Sequence, residues 1–259
     1  MNAIDNRREL KHAAAVVTGA GSGVGAAVCG ALADAGARLY LIGRSEDKLR
    51  RVAEKALAAG AAAAEVSSGD VGDSSFCEGA AAAAVARFGR LDLLVNNAGV
   101  IHRARAEDTA DDAWTRVIRT NLDGVFWFSR AAIARMRAQG GGAIVNIAST
   151  VGLVGAPNLA AYCASKGGVA QLTRALAVEC AADGITVNAV CPGAIDTPML
   201  FSAHADGVDE SQVRARNTGM IPQGRLATPD EVARAAVFLA GEPHITGALL
   251  PVDGGYTAR

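Results

Sequence analysis

A phenol and an ammonium stand four residues apart in Tyr162-Cys163-Ala164-Ser165-Lys166. On a helix that spacing places both side chains on one face. A phenol with an ordinary pKa of about 10 is a poor base near neutrality, and a fixed cation beside it favours phenolate. With Lys166 as that cation, Tyr162 could pass a proton to or from a bound oxygen. Ser149 closes the apolar run Ala143 to Ala148. Its hydroxyl could hydrogen-bond the same substrate oxygen, although a serine at a strand end is also an ordinary turn residue.

A second group of residues has no reactive side chains. Thr18-Gly19-Ala20-Gly21-Ser22-Gly23-Val24-Gly25 follows an apolar run and opens a helical pattern. Glycines there permit a tight turn and let backbone approach a pyrophosphate, with the helix N-terminus facing the negative charge. The spacing of Gly19, Gly23 and Gly25 departs from G-x-G-x-x-G. At the end of the next apolar run, where a carboxylate would hold the ribose hydroxyls of NAD, the chain has Gly43 followed by Arg44. A guanidinium suits a phosphate monoester, so NADP(H) is preferred. NAD(H) stays possible, because the glycine loop has no basic residue and Glu46 or Asp47 could pair with Arg44.

Short apolar runs supply the frame for these residues: Ala13 to Val17, Ala37 to Ile42, Ala62 to Val66, Leu91 to Val95, Ala143 to Ile147, Ile185 to Val190 and Ala248 to Val252. Helical patterns alternate with them, which is the rhythm of βαβ units. Runs apolar on both faces belong to a sheet covered on both sides. The expected fold is α/β: a single Rossmann-type doubly wound domain over residues 13–259, with a seven-stranded, mostly parallel sheet and helices on both faces. Residues 1–12 read as a tail. Thr228-Pro229-Asp230-Glu231 predicts a capped helix running to Ala240. Residues 198–223 show no clear periodicity and read as an irregular substrate-loop insertion. Val151, Leu153, Val154, Ala156 and Pro157, with Met199, Leu200 and Phe201, would form an apolar substrate wall unless they pack on each other. His102 and His204 could approach that pocket, or be ordinary loop histidines.

Bulk properties narrow the partners. The chain of 259 residues has a formal net charge of −1 with basic residues scattered along it, which argues against nucleic acid or an anionic membrane. It has no apolar stretch of membrane-spanning length and no secretory-type N-terminus. A cytoplasmic location is expected. Five cysteines without CxxC spacing point to neither a disulfide framework nor a metal site, and read as small buried residues.

Taken together, TGAGSGVG at 18–25, Asp70-Val71, Asn96-Asn97-Ala98-Gly99, Asn121, Ser149, YCASK at 162–166, Pro192-Gly193, Thr197 and Asp253-Gly254-Gly255 resemble the short-chain dehydrogenase/reductase family over nearly the whole chain. Among its members the chain looks most like 3-oxoacyl carrier-protein reductases and related carbonyl reductases and alcohol dehydrogenases. The resemblance implies hydride transfer between nicotinamide and a carbonyl or alcohol carbon. In it Ser149 orients the carbonyl, Tyr162 transfers the proton, Lys166 tunes Tyr162 and holds ribose hydroxyls, and Asn121 helps carry a water-linked relay. It also implies Asp70 and Val71 at adenine, Asn97, Ala98 and Gly99 along the adenosine ribose, Pro192 and Gly193 beside the cofactor, and Ile195 and Thr197 at the carboxamide and pyrophosphate. A homotetramer follows by the same likeness. The competing expectation is a non-catalytic nucleotide sensor, which would tolerate loss of Ser149, Tyr162 or Lys166; all are present.

Overall fold

The computed structural model describes residues 8–202 and 209–258; His204 and the middle of the 198–223 segment lie outside them. One sheet holds β1 (Ala14–Thr18), β2 (Arg38–Gly43), β3 (Ala63–Ser68), β4 (Leu93–Asn96), β5 (Gly142–Ile147), β6 (Ile185–Pro192) and β7 (Leu249–Val252). Each strand falls on one of the apolar runs, shifted by a residue or two at its ends. The order is β3-β2-β1-β4-β5-β6-β7, and every pairing is parallel. The expectation of a mostly parallel sheet thus becomes a wholly parallel one.

Helices α1 (Gly23–Asp34), α2 (Glu46–Ala59) and α9 (Pro229–Gly241) cover one face, and α3 (Ser74–Phe88), α5 (Gly124–Gln139) and α6 (Ala160–Cys180) the other. Alternation along each strand feeds both cores: Leu39 and Leu41 enter the first, Tyr40 and Ile42 the second. Full burial of a side chain such as Leu39 is worth about 2 kcal/mol. The short α4 (Asp111–Ile118) reaches α5 through a π-helical turn, Arg119–Asp123.

The chain builds outward from β1 to β2 and β3, then returns to place β4 on the opposite side of β1. The connections after β1 and β4 therefore leave the sheet in opposite directions. A crevice opens between them at the carboxyl ends of the strands, where open α/β sheets bind ligands.

Three expectations change. Residues 198–223 are not irregular throughout, for they carry α7 (Pro198–Ser202) and α8 (Glu210–Met220). The Asp209 carboxylate caps α8 by accepting from the Ser211 amide at 3.0 Å, a start signal that mixed composition concealed. Leu200 is buried with Val213, Ile221 and Leu226 in a small core of this insertion, so it supports the insertion and is not part of the substrate wall. Cys163 is only half-buried, unlike the other cysteines. The helix after Thr228 does start with a capping box, the Thr228 amide donating to Glu231 at 2.8 Å and the Glu231 amide to the Thr228 hydroxyl at 3.3 Å.

Beneath the crevice a buried polar network ties strands to helices. The Asn96 side-chain amide donates to the Ser129 hydroxyl (3.1 Å) and to Asn146 Oδ1 (2.9 Å), and the Asn146 amide donates to Thr173 Oγ1 at 2.9 Å. All four residues are buried, so each partner lost leaves a polar group with no water to replace it. Asn146→Ala should therefore destabilise the fold by about 3 kcal/mol, read as a lower urea midpoint at unchanged slope. A loss below ~1 kcal/mol would show the network to be dispensable.

Candidate active site

Thr18, the last residue of β1, closes the crevice at its base. Its hydroxyl oxygen accepts from the Asn97 and Ala98 amides, each at 3.0 Å, and the Asn97 side-chain amide donates to the Thr18 and Gly19 carbonyls at 3.0 and 3.1 Å. Asn97, expected along the ribose, thus spends its side chain on the glycine loop. A Cβ at Gly25 would stand 2.3 Å from the Gly19 carbonyl oxygen, and one at Gly19 would stand 2.8 Å from Ala98 Cα with φ at +64°. Only glycine fits either position. The loop delivers Gly23 and Val24 as the first turn of α1, directly opposite Thr197, whose Cγ2 would lie 3.4 Å from a Cβ on Gly23.

The crevice is a cleft of about 550 Å³ lined by Gly19, Ser22, Gly23, Val24, Gly43, Arg44, Asp70, Val71, Asn97, Ala98, Gly99, Ser149, Tyr162, Lys166, Pro192, Gly193, Ile195, Thr197 and Met199. Nearly all the residues expected to hold a nucleotide therefore meet in one place. A backbone cradle closed to any Cβ, headed by a helix N-terminus, fits a pyrophosphate. Asp70 has one carboxylate oxygen on the Gly72 amide at 2.8 Å. Gly25 lies behind the wall as a packing residue.

At the second strand's end Arg44 is exposed, and the acidic neighbours do not claim it, because Glu46 pairs with Arg50. The fold also brings Lys48 to the same wall, its Cβ 3.1 Å from where a Gly21 Cβ would be. The sequence reading missed Lys48 as a second cation. Its spacing of one helical turn from Arg44 was the available signal.

On the opposite wall Tyr162 sits in the first turn of α6. Burial pushes its phenol up to about 12, while the Ser149 hydroxyl and the Arg103 guanidinium act to lower it. Ser149 is almost fully buried, and its oxygen accepts from the Val151 amide at 3.3 Å. Lys166 donates from Nζ to the Ile147 carbonyl at 2.7 Å and lies 5.8 Å from the centroid of the Tyr162 ring. Burial pulls Lys166 down to about 8. The Arg103 guanidinium thus joins the groups that act on the phenol, while the Lys166 ammonium is turned to a strand-end carbonyl. Gly152 permits this arrangement, since a Cβ there would come 2.6 Å from the Lys166 carbonyl oxygen.

Asn121 occupies the π-helical turn and is fully buried. Its Oδ1 accepts from the Val100 amide, and its Nδ2 donates to the Val100 carbonyl, both at 2.8 Å, and to Ser165 Oγ at 3.1 Å. Both Nδ2 protons are taken up, so the side chain ties the run after β4 to α6, and Oδ1 keeps one acceptor site. Val151 is half-buried, whereas Leu153, Val154 and Pro157 are exposed beyond the Thr150–Gly152 turn. Met199 faces the cleft. No group of His, Cys, Asp and Glu among the described residues could hold a metal ion.

The family model described as enoyl-(acyl carrier protein) reductase matches residues 19–257. Galactitol 2-dehydrogenase (L-tagatose-forming) of Cereibacter sphaeroides is 44% identical over 252 residues, covering 96% of each chain. Cis-4-hydroxycyclohexanecarboxylate dehydrogenase of Sinomonas cyclohexanicum is 45% identical over 247 residues, 94% of this chain and 96% of that one. The crystal structure of a variant actinorhodin polyketide ketoreductase with NADPH superimposes with a TM-score of 0.90 at 38% identity, covering 97% of this chain and 99% of that one. With its parallel sheet, glycine cradle and Ser-Tyr-Lys cluster, the chain belongs to the short-chain dehydrogenase/reductase family, oxidoreductases of alcohol and carbonyl groups that use nicotinamide nucleotides.

Proposed function

We propose that the protein is an NADP(H)-dependent oxidoreductase acting on the carbonyl or secondary alcohol carbon of a small molecule with a largely apolar body. The observation that carries this reading is the meeting of Tyr162, Ser149 and Lys166 on the wall of a cleft headed by the glycine loop. Bound there, nicotinamide supplies or accepts the hydride. Ser149 positions the substrate oxygen. Tyr162, a protonated phenol at neutral pH, gives its proton to that oxygen in reduction and must lose it before it can act as a base in oxidation. Lys166 holds the ribose hydroxyls, and Asn121 keeps the floor of the site rigid.

The pyrophosphate falls to Gly19, Ser22, Gly23, Val24 and Thr197, adenine to Asp70 and Val71, its ribose to Asn97, Ala98 and Gly99, and the nicotinamide end to Pro192, Gly193 and Ile195. Arg44 and Lys48 favour a phosphate on the adenosine ribose, since two cations gather where a carboxylate would repel it. The related ketoreductase was crystallised with NADPH. The substrate's carbon body lies between Val151, Leu153 and Pro157 on one side and Met199 on the other.

A cytoplasmic homotetramer completes the proposal. Unpaired cysteines suit a reducing compartment, and no helix among the described residues is long and apolar enough to cross a membrane. Val178 on α6 is 83% exposed, and Trp114 on α4, Phe126 on α5 and Phe238 on α9 are also exposed. Large apolar side chains on outer helix faces favour burial between subunits.

Tyr162→Phe should reduce turnover by about 10³-fold or more while NADPH binding, followed by fluorescence titration, stays within a few fold; normal turnover would remove Tyr162 from the chemistry. Alcohol oxidation, which needs phenolate, should rise with pH, and Ser149→Ala should move that limb to higher pH because it removes an influence that lowers the phenol. Arg44→Ala and Lys48→Ala should each weaken NADPH about tenfold more than NADH, and equal losses for both cofactors would indicate NAD use. Light scattering should give a tetramer; a monomer at micromolar concentration would contradict the assembly.

A further inference from the structure

The segment that follows β6 faces two ways. Ile195 and Thr197 line the cleft, while the carboxylate of Asp196 between them is turned to Arg214 on α8. The contact is bidentate, Nη1 and Nη2 each donating to a different carboxylate oxygen at 2.8 Å. The same guanidinium lies over the Phe201 ring of α7, 5.5 Å from its centroid. One residue earlier on α8, Val213 packs with Leu200 in the small core of the insertion.

Backbone fixes one side of this segment. The Asp196 amide donates to the Ala227 carbonyl at 2.9 Å, and the Ala227 amide to the Ala194 carbonyl at 3.0 Å. Arg214 grips the other side. Thr197 then leads into α7, its carbonyl accepting from the Leu200 amide at 3.0 Å, and Met199 comes round to line the cleft. Asp196, Thr197 and Met199 span only four residues, so a grip on the first fixes where the other two stand. The nearby bidentate arginine, Arg225, pairs instead with Glu231 at the start of α9 and serves the cap of that helix. Arg214 joins two separate elements. Its side chain and that of Asp196 are 48% and 45% exposed, so the pair adds little to the stability of the whole fold. Its two-point geometry and the ring beneath it make it a local restraint.

We propose that Arg214 is a positioning residue for binding: through Asp196 and Phe201 it fixes residues 195–199, and so raises the affinity for nicotinamide nucleotide and carbonyl compound without touching either. The inference deepens the oxidoreductase reading above and rests on it for the substrate, whereas its effect on the nucleotide needs only binding. Tyr162 and Ser149 are carried by other elements, so loss of the grip leaves the chemical step intact and appears in KM, not in kcat.

The test compares the wild type with Arg214→Gln, Arg214→Lys, Asp196→Asn and the double variant Arg214→Gln/Asp196→Asn. Arg216→Gln, an exposed arginine of the same helix, is the control for loss of charge. Fluorescence titration with NADPH and with NADH is read beside steady-state reduction of cyclohexanone and of ethyl 3-oxobutanoate. Arg214→Gln and Asp196→Asn should each weaken NADPH and raise the ketone KM about fourfold, below the roughly fivefold ceiling that an exposed pair allows. In both, kcat should change by less than about 1.5-fold and the thermal midpoint by less than about 3 °C. The double variant should be no worse than either single one, Arg214→Lys should recover part of the affinity, and Arg216→Gln should match the wild type. Unchanged affinity and KM in the single variants overturn the proposal. So do additive losses in the double variant, or a fall in kcat and thermal midpoint without a change in KM, which would make the pair a support of the fold. A wild type that binds NADPH yet reduces neither ketone counts against the oxidoreductase reading, and the titrations then decide the role of Arg214 by themselves.

Discussion

The closure of β1 onto the end of β4 is the contact on which the site depends. Thr18 and Asn97 exchange hydrogen bonds across the point where the sheet reverses direction, and Asn97 also holds the Gly19 carbonyl. The Gly19 carbonyl in turn lies where a Cβ at Gly25 would fall. The glycines are thus required by the crowding of three backbone segments as much as by the ligand. Any side chain added there would push α1 off the sheet and open the cleft at its phosphate end.

The other wall is governed by burial. Tyr162 and Lys166 belong to one helical turn, yet each is shifted toward its neutral form by desolvation. Lys166 meets part of that cost through the Ile147 carbonyl. The sign matters for the direction of catalysis: a phenol held above its ordinary value is ready as an acid, and needs nearby positive charge before it can serve as a base. Arg103, carried by a run that Asn121 pins, supplies such a charge from outside the helix.

Much of this was legible in the residue order. The seven apolar runs located every strand, because a strand buried on both faces has to be apolar at nearly every position. Tyr162, Lys166, Ser149 and the glycine loop stood out because their chemistry depends on spacing within one element. What was not legible lay in contacts between elements. Leu200 reads as one more apolar residue near the pocket until α8 packs on it. The Asn97 side chain reads as a ligand group until its amide is found on the glycine loop, which leaves the rest of the residue to line the cleft. Arg103 carries no motif, and its influence on the Tyr162 phenol comes from a separate element.

The sequence by itself determined the fold class, the glycine turn between β1 and α1 and the pairing of Tyr162 with Lys166 on one helical face, since each follows from periodicity or from a fixed offset along the chain. Tertiary structure alone decided that Arg103 acts on the phenol from outside the helix, that Lys48 joins Arg44, that Asn121 is tied to Val100 and Ser165 and that the insertion has a core of its own. The physical reason is that charge interaction and desolvation depend on distance through space and on excluded water. Neither is encoded in the separation of residues along the chain.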